Sequence, residues 1–186
     1  MNNFKIHTIE TAPEKSKGQL ENSLKAFGMI PNLHAVMAES PAILEAYTTL
    51  HRLFSQETSF NAEELTVIWQ SINVENECHY CVPAHTGIAY SMKVDNNIIQ
   101  ALRDEAPLED QKLEVLRTTT LRIVRNRGIL NENELLEFYN AGYTQQQLLE
   151  IILGYSQKIL SNYTNHVAET PVDNAFKKFS WEKVAQ

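Results

Sequence analysis

"ENECHYCVPAHTGIA", residues 75–89, holds both cysteines of a 186-residue chain, Cys78 and Cys81, and two of its six histidines, His79 and His85. Spacings of three and four place Cys78, Cys81 and His85 on one face if the segment is a helix start. A Cys-x-x-Cys pair there has a chemical use. The helix dipole and the unpaired N–H groups of the first turn stabilise a thiolate. An imidazolium at His85 would lower the thiol pKa further. The second cysteine can then close a small ring onto an oxidised sulfur. The pattern suits a cycle of thiolate, sulfenic acid, disulfide and reduction by another dithiol. Two plainer readings compete. Cys, Cys and His are three zinc ligands, but a structural zinc site wants four and no second Cys-x-x-Cys exists. Free cysteines also pack as small apolar side chains.

Outward from this stretch the chain reads as helix. Asn61 with Glu64 forms a capping-box pattern ahead of Leu65, Ile68, Trp69 and Ile72. The cysteine segment predicts a helix from about Cys78 to Met92, and a short one follows over 95–103. Before these lie helices over 13–27, with Leu20, Leu24 and Phe27 on one stripe, and over 32–38. Pro41 starts another, bearing Ile43, Leu44, Tyr47, Leu50 and Phe54. After them, Leu113, Leu116, Thr120, Ile123 and Val124 mark a helix stopped by Gly128. Asn131 with Glu134 and Thr144 with Gln147 are further capping boxes. The last opens a helix carrying Leu148, Ile151, Ile152, Tyr155, Ile159 and Tyr163, limited by Pro171. "NFKIHTI" alternates and could be extended, without an obvious strand partner. The tail, "FKKFSWEKV", offers Phe176, Phe179 and Trp181 as anchors. The expectation is a single all-α domain of about eight helices over residues 1–186.

Apolar residues make up 43% of the chain, enough for a real core. A net charge of −7 argues against nucleic acid or an anionic membrane surface as partner. No run approaches the roughly 20 apolar residues of a membrane span, and the N-terminus lacks the apolar run of a signal peptide. The expected location is cytoplasmic, where thiols are kept reduced and a close pair is catalytic or metal-binding rather than a staple.

"ENECHYCVPAHTGIA" resembles the Cys-x-x-Cys-x-x-x-His signature of the carboxymuconolactone decarboxylase-like superfamily, in its alkylhydroperoxidase D (AhpD) branch. "FGMIPNLHAVMAESPAILEAYTTL" is similar to the stretch before the cysteines in peroxidase-related members. "GYTQQQLLEIILGYSQKILSNYTNHVAETPVD" resembles their C-terminal ending. The match covers about residues 20–173. The resemblance implies an AhpD-like helical bundle, homo-oligomers, and thiol-dependent peroxidase activity. Cys81 would be the peroxidatic thiol, Cys78 its resolving partner and His85 part of a proton relay. His79 also fits a pattern of the branch. A hydroperoxide substrate and a dithiol donor, a lipoyl or thioredoxin-like protein, are implied as partners. No cofactor or metal is expected.

One departure stands out. Members of the branch place a relay glutamate twelve residues before the first cysteine, and Thr66 stands there. Glu64 is the nominee in its place, with its capping box as the plainer reading. The extended Ile151–Tyr155–Ile159 and Leu113–Leu116–Ile123 stripes also point to assembly. The alternative function is a non-catalytic redox sensor, or an oligomeric scaffold switched by the pair. His166 is expected to cap a helix C-terminus, His51 to face solvent, and His34 to lack a nameable partner. Trp69, Tyr80 and Tyr90 are expected in the core or a pocket wall.

Overall fold

The computed structural model describes residues 4–183. Asn3 and Val184, at the ends of two stretches quoted above, lie outside the described residues. Nine α-helices form among the described residues: α1 Glu14–Phe27, α2 Asn32–Met37, α3 Pro41–Glu57, α4 Ala62–Glu75, α5 Cys81–Ser91, α6 Asn96–Arg103, α7 Gln111–Arg125, α8 Glu132–Asn140 and α9 Gln145–Ala168. No strand forms among them. The alternating N-terminal segment instead lies along α2, with the His7 N–H donating to the Ala35 carbonyl at 3.2 Å.

All three capping boxes form. Asn61 and Glu64 exchange backbone and side-chain bonds at the start of α4, Asn131 and Glu134 at α8, and Thr144 and Gln147 at α9. Each satisfies N–H groups that a helix start leaves orphaned.

Helix α4 is the axis of the molecule. Every residue from Glu64 to Val74 is buried, and α5, α6, α7 and α9 pack around it. Its buried polar side chains find partners inside, Gln70 on the Val82 carbonyl, Ser71 on the Val67 carbonyl and Asn73 on Gln70. One core lies between α4, α7 and α9, built on Phe54, Ile68, Trp69, Leu116, Phe138 and Ile151. A second holds the cysteines, with Leu20, Leu33, Met37, Leu44, Tyr47 and Tyr80 around them. Helix α9 crosses α3 closely at Gly154, where an added Cβ would stand 2.6 Å from the Phe54 ring.

The hydrophobic stripes are buried less evenly than their periodicity suggests. Leu113, Leu116, Ile123 and Ile151 are consumed inside the subunit. Leu24 and Phe27 of α1 are exposed, as are Leu149, Ile152 and Tyr163 of α9, at 67%, 44% and 50%. Periodicity finds the apolar face but not its partner. The tail is anchored as its aromatics suggest: Trp181 Nε1 donates to the Arg103 carbonyl at 2.9 Å, and Phe179 stacks on Tyr90.

Candidate active site

The cysteine segment begins with a helix end, not a helix start. Helix α4 closes with the Glu77 N–H on the Val74 carbonyl and the Cys78 N–H on the Asn73 carbonyl. This is a Schellman closure, which needs a left-handed residue at its turn. Glu77 takes that place with φ 53°. Cys78 therefore precedes α5 rather than lying in its first turn, which corrects the predicted start. It still caps that helix. Its sulfur accepts the Cys81 N–H at 3.3 Å, and its carbonyl accepts the Val82 N–H at 3.0 Å. A sulfur occupies the position where Ser or Asp would accept the same bond. Cys81 opens α5, and His85 follows one turn later on the same face.

Both thiols are free and buried. A ladder of amides holds the turn between α4, α5 and α9. Asn76 donates to Asn162, Asn162 to Asn73, Asn73 to Gln70, and Gln70 to the Val82 carbonyl, at 2.9–3.1 Å. The Nδ2 of Asn165 lies 3.2 Å from Cys81 Sγ and 4.0 Å from Cys78 Sγ.

Tyr80, between the cysteines, connects the three stretches that carried the resemblance. Its hydroxyl donates to Asp173 and accepts the Leu33 N–H at 3.2 Å. Asp173 also accepts the Asn32 N–H at 3.0 Å. The Pro-Asn-Leu loop, the cysteine turn and the Thr-Pro-Val-Asp segment thus meet at one buried tyrosine and one carboxylate. Burial and the Asp173 charge push the Tyr80 phenol well up, keeping it a donor.

Cys81 opens on a cavity of about 350 Å³. Its walls are largely apolar and aromatic: Phe27, Leu33, Tyr47, Ile88 and Phe176. Its polar groups include His34, His51, His85, Ser91 and Lys158, and no carboxylate lines it. Lys158, fully buried on α9, was not singled out in the sequence. Its Nζ lies 2.9 Å from His85 Nε2. Burial depresses the Lys158 pKa, while Cys81 and Cys78 raise it. Burial pushes the Cys81 thiol up. The Cys78 hydrogen bond, the Lys158 charge and the amides of Asn162 and Asn165 outweigh this and lower it to about 5. Cys78 moves the other way, raised by its bond to Cys81, by burial and by the Cys81 charge. One thiolate and one thiol is the arrangement a buried pair sharing one cation favours.

His85 is therefore not the cation of this site. Burial, Lys158 and His51 hold its pKa well below the usual value. A neutral imidazole accepts from the lysine through Nε2. Its Nδ1 has no partner among the described residues.

Rings continue outward from His85 through Trp69, His51, Tyr47 and His34 to Phe27, with neighbouring centroids 4.9–6.1 Å apart. His51 is a half-buried part of this wall, not a solvent-facing residue: its α3 position faces α4 and α9. His34 has a partner, the Ser23 hydroxyl at 2.8 Å. Burial lowers both histidines to about 4.

Glu64 is not brought to the sulfurs. It completes the capping box with Asn61 and faces Lys112 at 3.4 Å. Thr66 bonds its own helix, to the Ala62 carbonyl. His79 points the other way, toward the Trp181 carbonyl at 3.3 Å. His166, near the C-terminus of α9, stacks on Tyr163. Lys158 left one readable signal, a lysine inside an apolar helical stripe. Among the described residues no group of three or more His, Cys, Asp or Glu could hold a metal.

Bundled helices enclosing a Cys-x-x-Cys turn, with Cys81 open to an apolar cavity, define a class of all-α thiol proteins. Comparison with solved structures gives the particular fold. A peroxidase-related protein with an AhpD core from Ralstonia eutropha JMP134 superposes with a TM-score of 0.81 at 17% identity, over 93% of each chain. A peroxidase-related protein from Silicibacter sp. TM1040 gives 0.78 at 17% identity, over 94% of this chain and 92% of its own. The debrominase Bmp8 gives 0.74 at 17% identity, over 94% of this chain and 97% of its own, and a cysteine-to-alanine form of it was solved in complex with 2,3,4-tribromopyrrole. No protein-family model and no curated protein matches the sequence. The chain has the AhpD-like, carboxymuconolactone decarboxylase-type helical fold.

Proposed function

We propose that the protein is a thiol peroxidase of the alkylhydroperoxidase D type. The observation that carries this reading is the buried Cys81 sulfur, 3.2 Å from the Asn165 amide and sharing an apolar cavity with Lys158, with Cys78 one turn away; the pKa lowered to about 5 agrees with it. The Cys81 sulfur attacks the distal oxygen of a hydroperoxide. The S–O bond forms, the O–O bond breaks, and the alcohol leaves with one proton, supplied by Lys158 directly or through His85. Cys78 then attacks the sulfenic acid. The S–S bond forms and water leaves with the Cys78 proton. A dithiol donor returns two electrons and is itself oxidised to a disulfide.

Lys158 takes the place that a relay carboxylate was expected to hold. A cation stabilises the thiolate without requiring a base, which fits Thr66 at the expected glutamate position. Glu64 stays a structural cap in this reading.

Substitution separates the roles. Cys81→Ser abolishes peroxide consumption with a dithiol donor. Cys78→Ser allows one oxidation, then stalls at a sulfenic acid or mixed disulfide. Wild-type protein after mild peroxide shows a peptide carrying both cysteines about two mass units lighter. Turnover retained by both single variants refutes the reading. A change of oligomer size on oxidation without turnover supports the redox-sensor alternative.

The aromatic cavity wall favours one further reading, reductive dehalogenation of a small aromatic ring. There the thiolate takes the halogen from carbon, the ring gains a proton, and Cys78 displaces halide as the disulfide forms. Bromide release from 2,3,4-tribromopyrrole, measured beside peroxide loss, discriminates the two.

A further inference from the structure

The two cysteines, both buried, border different openings. Cys81 lines the apolar cavity. Cys78 lines a polar cleft of about 620 Å³ between the α4–α5 turn and the end of α9, with Asn76, His79, Asn165, His166 and Thr170. Tyr80 is shared by both linings and stands between them. The cleft holds polar atoms without partners. Asn165 Oδ1 and Thr170 Oγ1 have none among the described residues. Asn165 and Thr170 are only 4% and 7% exposed. A buried polar atom left unpaired is costly, and both are shut off from solvent behind the cleft wall, so a group that reaches that wall gains by pairing with them.

We propose that this cleft is the entry for the reductant, a slender dithiol that attacks Cys78 of the oxidised pair. Its amide or thiol groups would meet Asn165 Oδ1 and Thr170 Oγ1 on the way in. The proposal rests on the redox cycle above for the origin of the disulfide. The choice of sulfur follows from the leaving group. Attack on Cys78 breaks the S–S bond and releases Cys81, whose thiolate is received by Lys158 and the Asn165 amide. Attack on Cys81 would release Cys78, which Lys158 favours less and which its neighbour's charge opposes. The better-stabilised thiolate leaves faster. The donor's second thiol then attacks the mixed disulfide. The donor becomes a disulfide and gives up two protons: one goes to Cys78 as it departs, and the other restores the charge Lys158 spent on the alcohol. Oxidant and reductant thus reach the pair from opposite sides and need not displace one another.

The test starts from disulfide made with diamide, so it does not depend on peroxide reactivity. Glutathione is added as a monothiol probe, the mixture is acid-quenched, and fragmentation of the peptide locates the adduct. Glutathione on Cys78 is expected; glutathione on Cys81 overturns the proposal. Two bulky substitutions, each checked for folding by circular dichroism, give a second readout. His166→Trp, in the cleft, slows reduction of the disulfide by dihydrolipoamide at least tenfold more than it slows alkylation of Cys81 by iodoacetamide. Ile88→Trp, in the apolar cavity, gives the reverse ratio. Equal ratios in the two variants overturn the proposal. An absence of peroxide turnover together with glutathione on Cys78 refutes the peroxidase reading and leaves the two-sided access standing.

Discussion

At the residue scale, the proposed chemistry turns on one lysine. Lys158 is buried without a carboxylate in the cavity, so the Cys81 thiolate is its counter-ion. Removing it leaves an unpaired buried anion, which neutralises by taking up a proton. With the Cys81 pKa at about 5, alkylation by iodoacetamide is already at its plateau by neutral pH. In Lys158→Met the rate should still be rising there, its midpoint moved up by about two units or more. His85→Ala should move it less, because the imidazole is held neutral. Glu64→Gln, in its capping box on α4, should leave the profile in place. Glu77 gives a second residue-scale prediction. It holds a left-handed conformation that glycine adopts without strain. Glu77→Gly should stabilise the fold by about 1 kcal/mol, read as a higher denaturant midpoint. Its exposed ion pair with Lys183 offsets little.

At the element scale, α9 does three tasks at once. It carries Lys158, Asn162 and Asn165 to the sulfurs, supplies Ile151 to the core, and crosses α3 at Gly154. The crossing sets how close Lys158 comes to α5. Gly154→Ala forces a methyl against the Phe54 ring, which is itself fully buried. Overpacking of this kind costs about 2 kcal/mol. The expected result is a lowered denaturant midpoint together with a higher pH midpoint for Cys81 alkylation. An unchanged alkylation profile would show that the cation does not depend on this crossing.

At the scale of the whole molecule, Leu149, Ile152 and Tyr163 place an exposed apolar row along α9. Exposed rows of this size invite a partner. We propose that a second copy covers this row, since three large apolar side chains exposed along one helix can meet their own copies in an isologous contact. Light scattering at micromolar concentration should give a homo-oligomer, and Ile152→Glu with Leu149→Glu should reduce it toward monomer. A clean monomer for the unmodified chain counts against this assembly. No helix among the described residues is long and apolar enough to cross a membrane.

The sequence by itself determined the helices and showed the paired cysteines. Capping boxes at Asn61, Asn131 and Thr144 act within four residues, and apolar periodicity within two turns, so both are legible without a fold. The paired cysteines were visible for the same reason. Tertiary structure alone decided what surrounds them. Lys158 lies 73 residues from His85 in sequence yet bonds to it. Its place inside an apolar stripe is the one local signal, and a lysine whose stem lies along an apolar face with its charge in water shows the same one. Glu64 shows the converse: a carboxylate at a plausible spacing was drawn into its own helix cap, because that bond is local and forms whatever the rest of the chain does. The charge that tunes a buried thiol comes from whichever side chain the packing brings near, and packing is a property of the assembled helices.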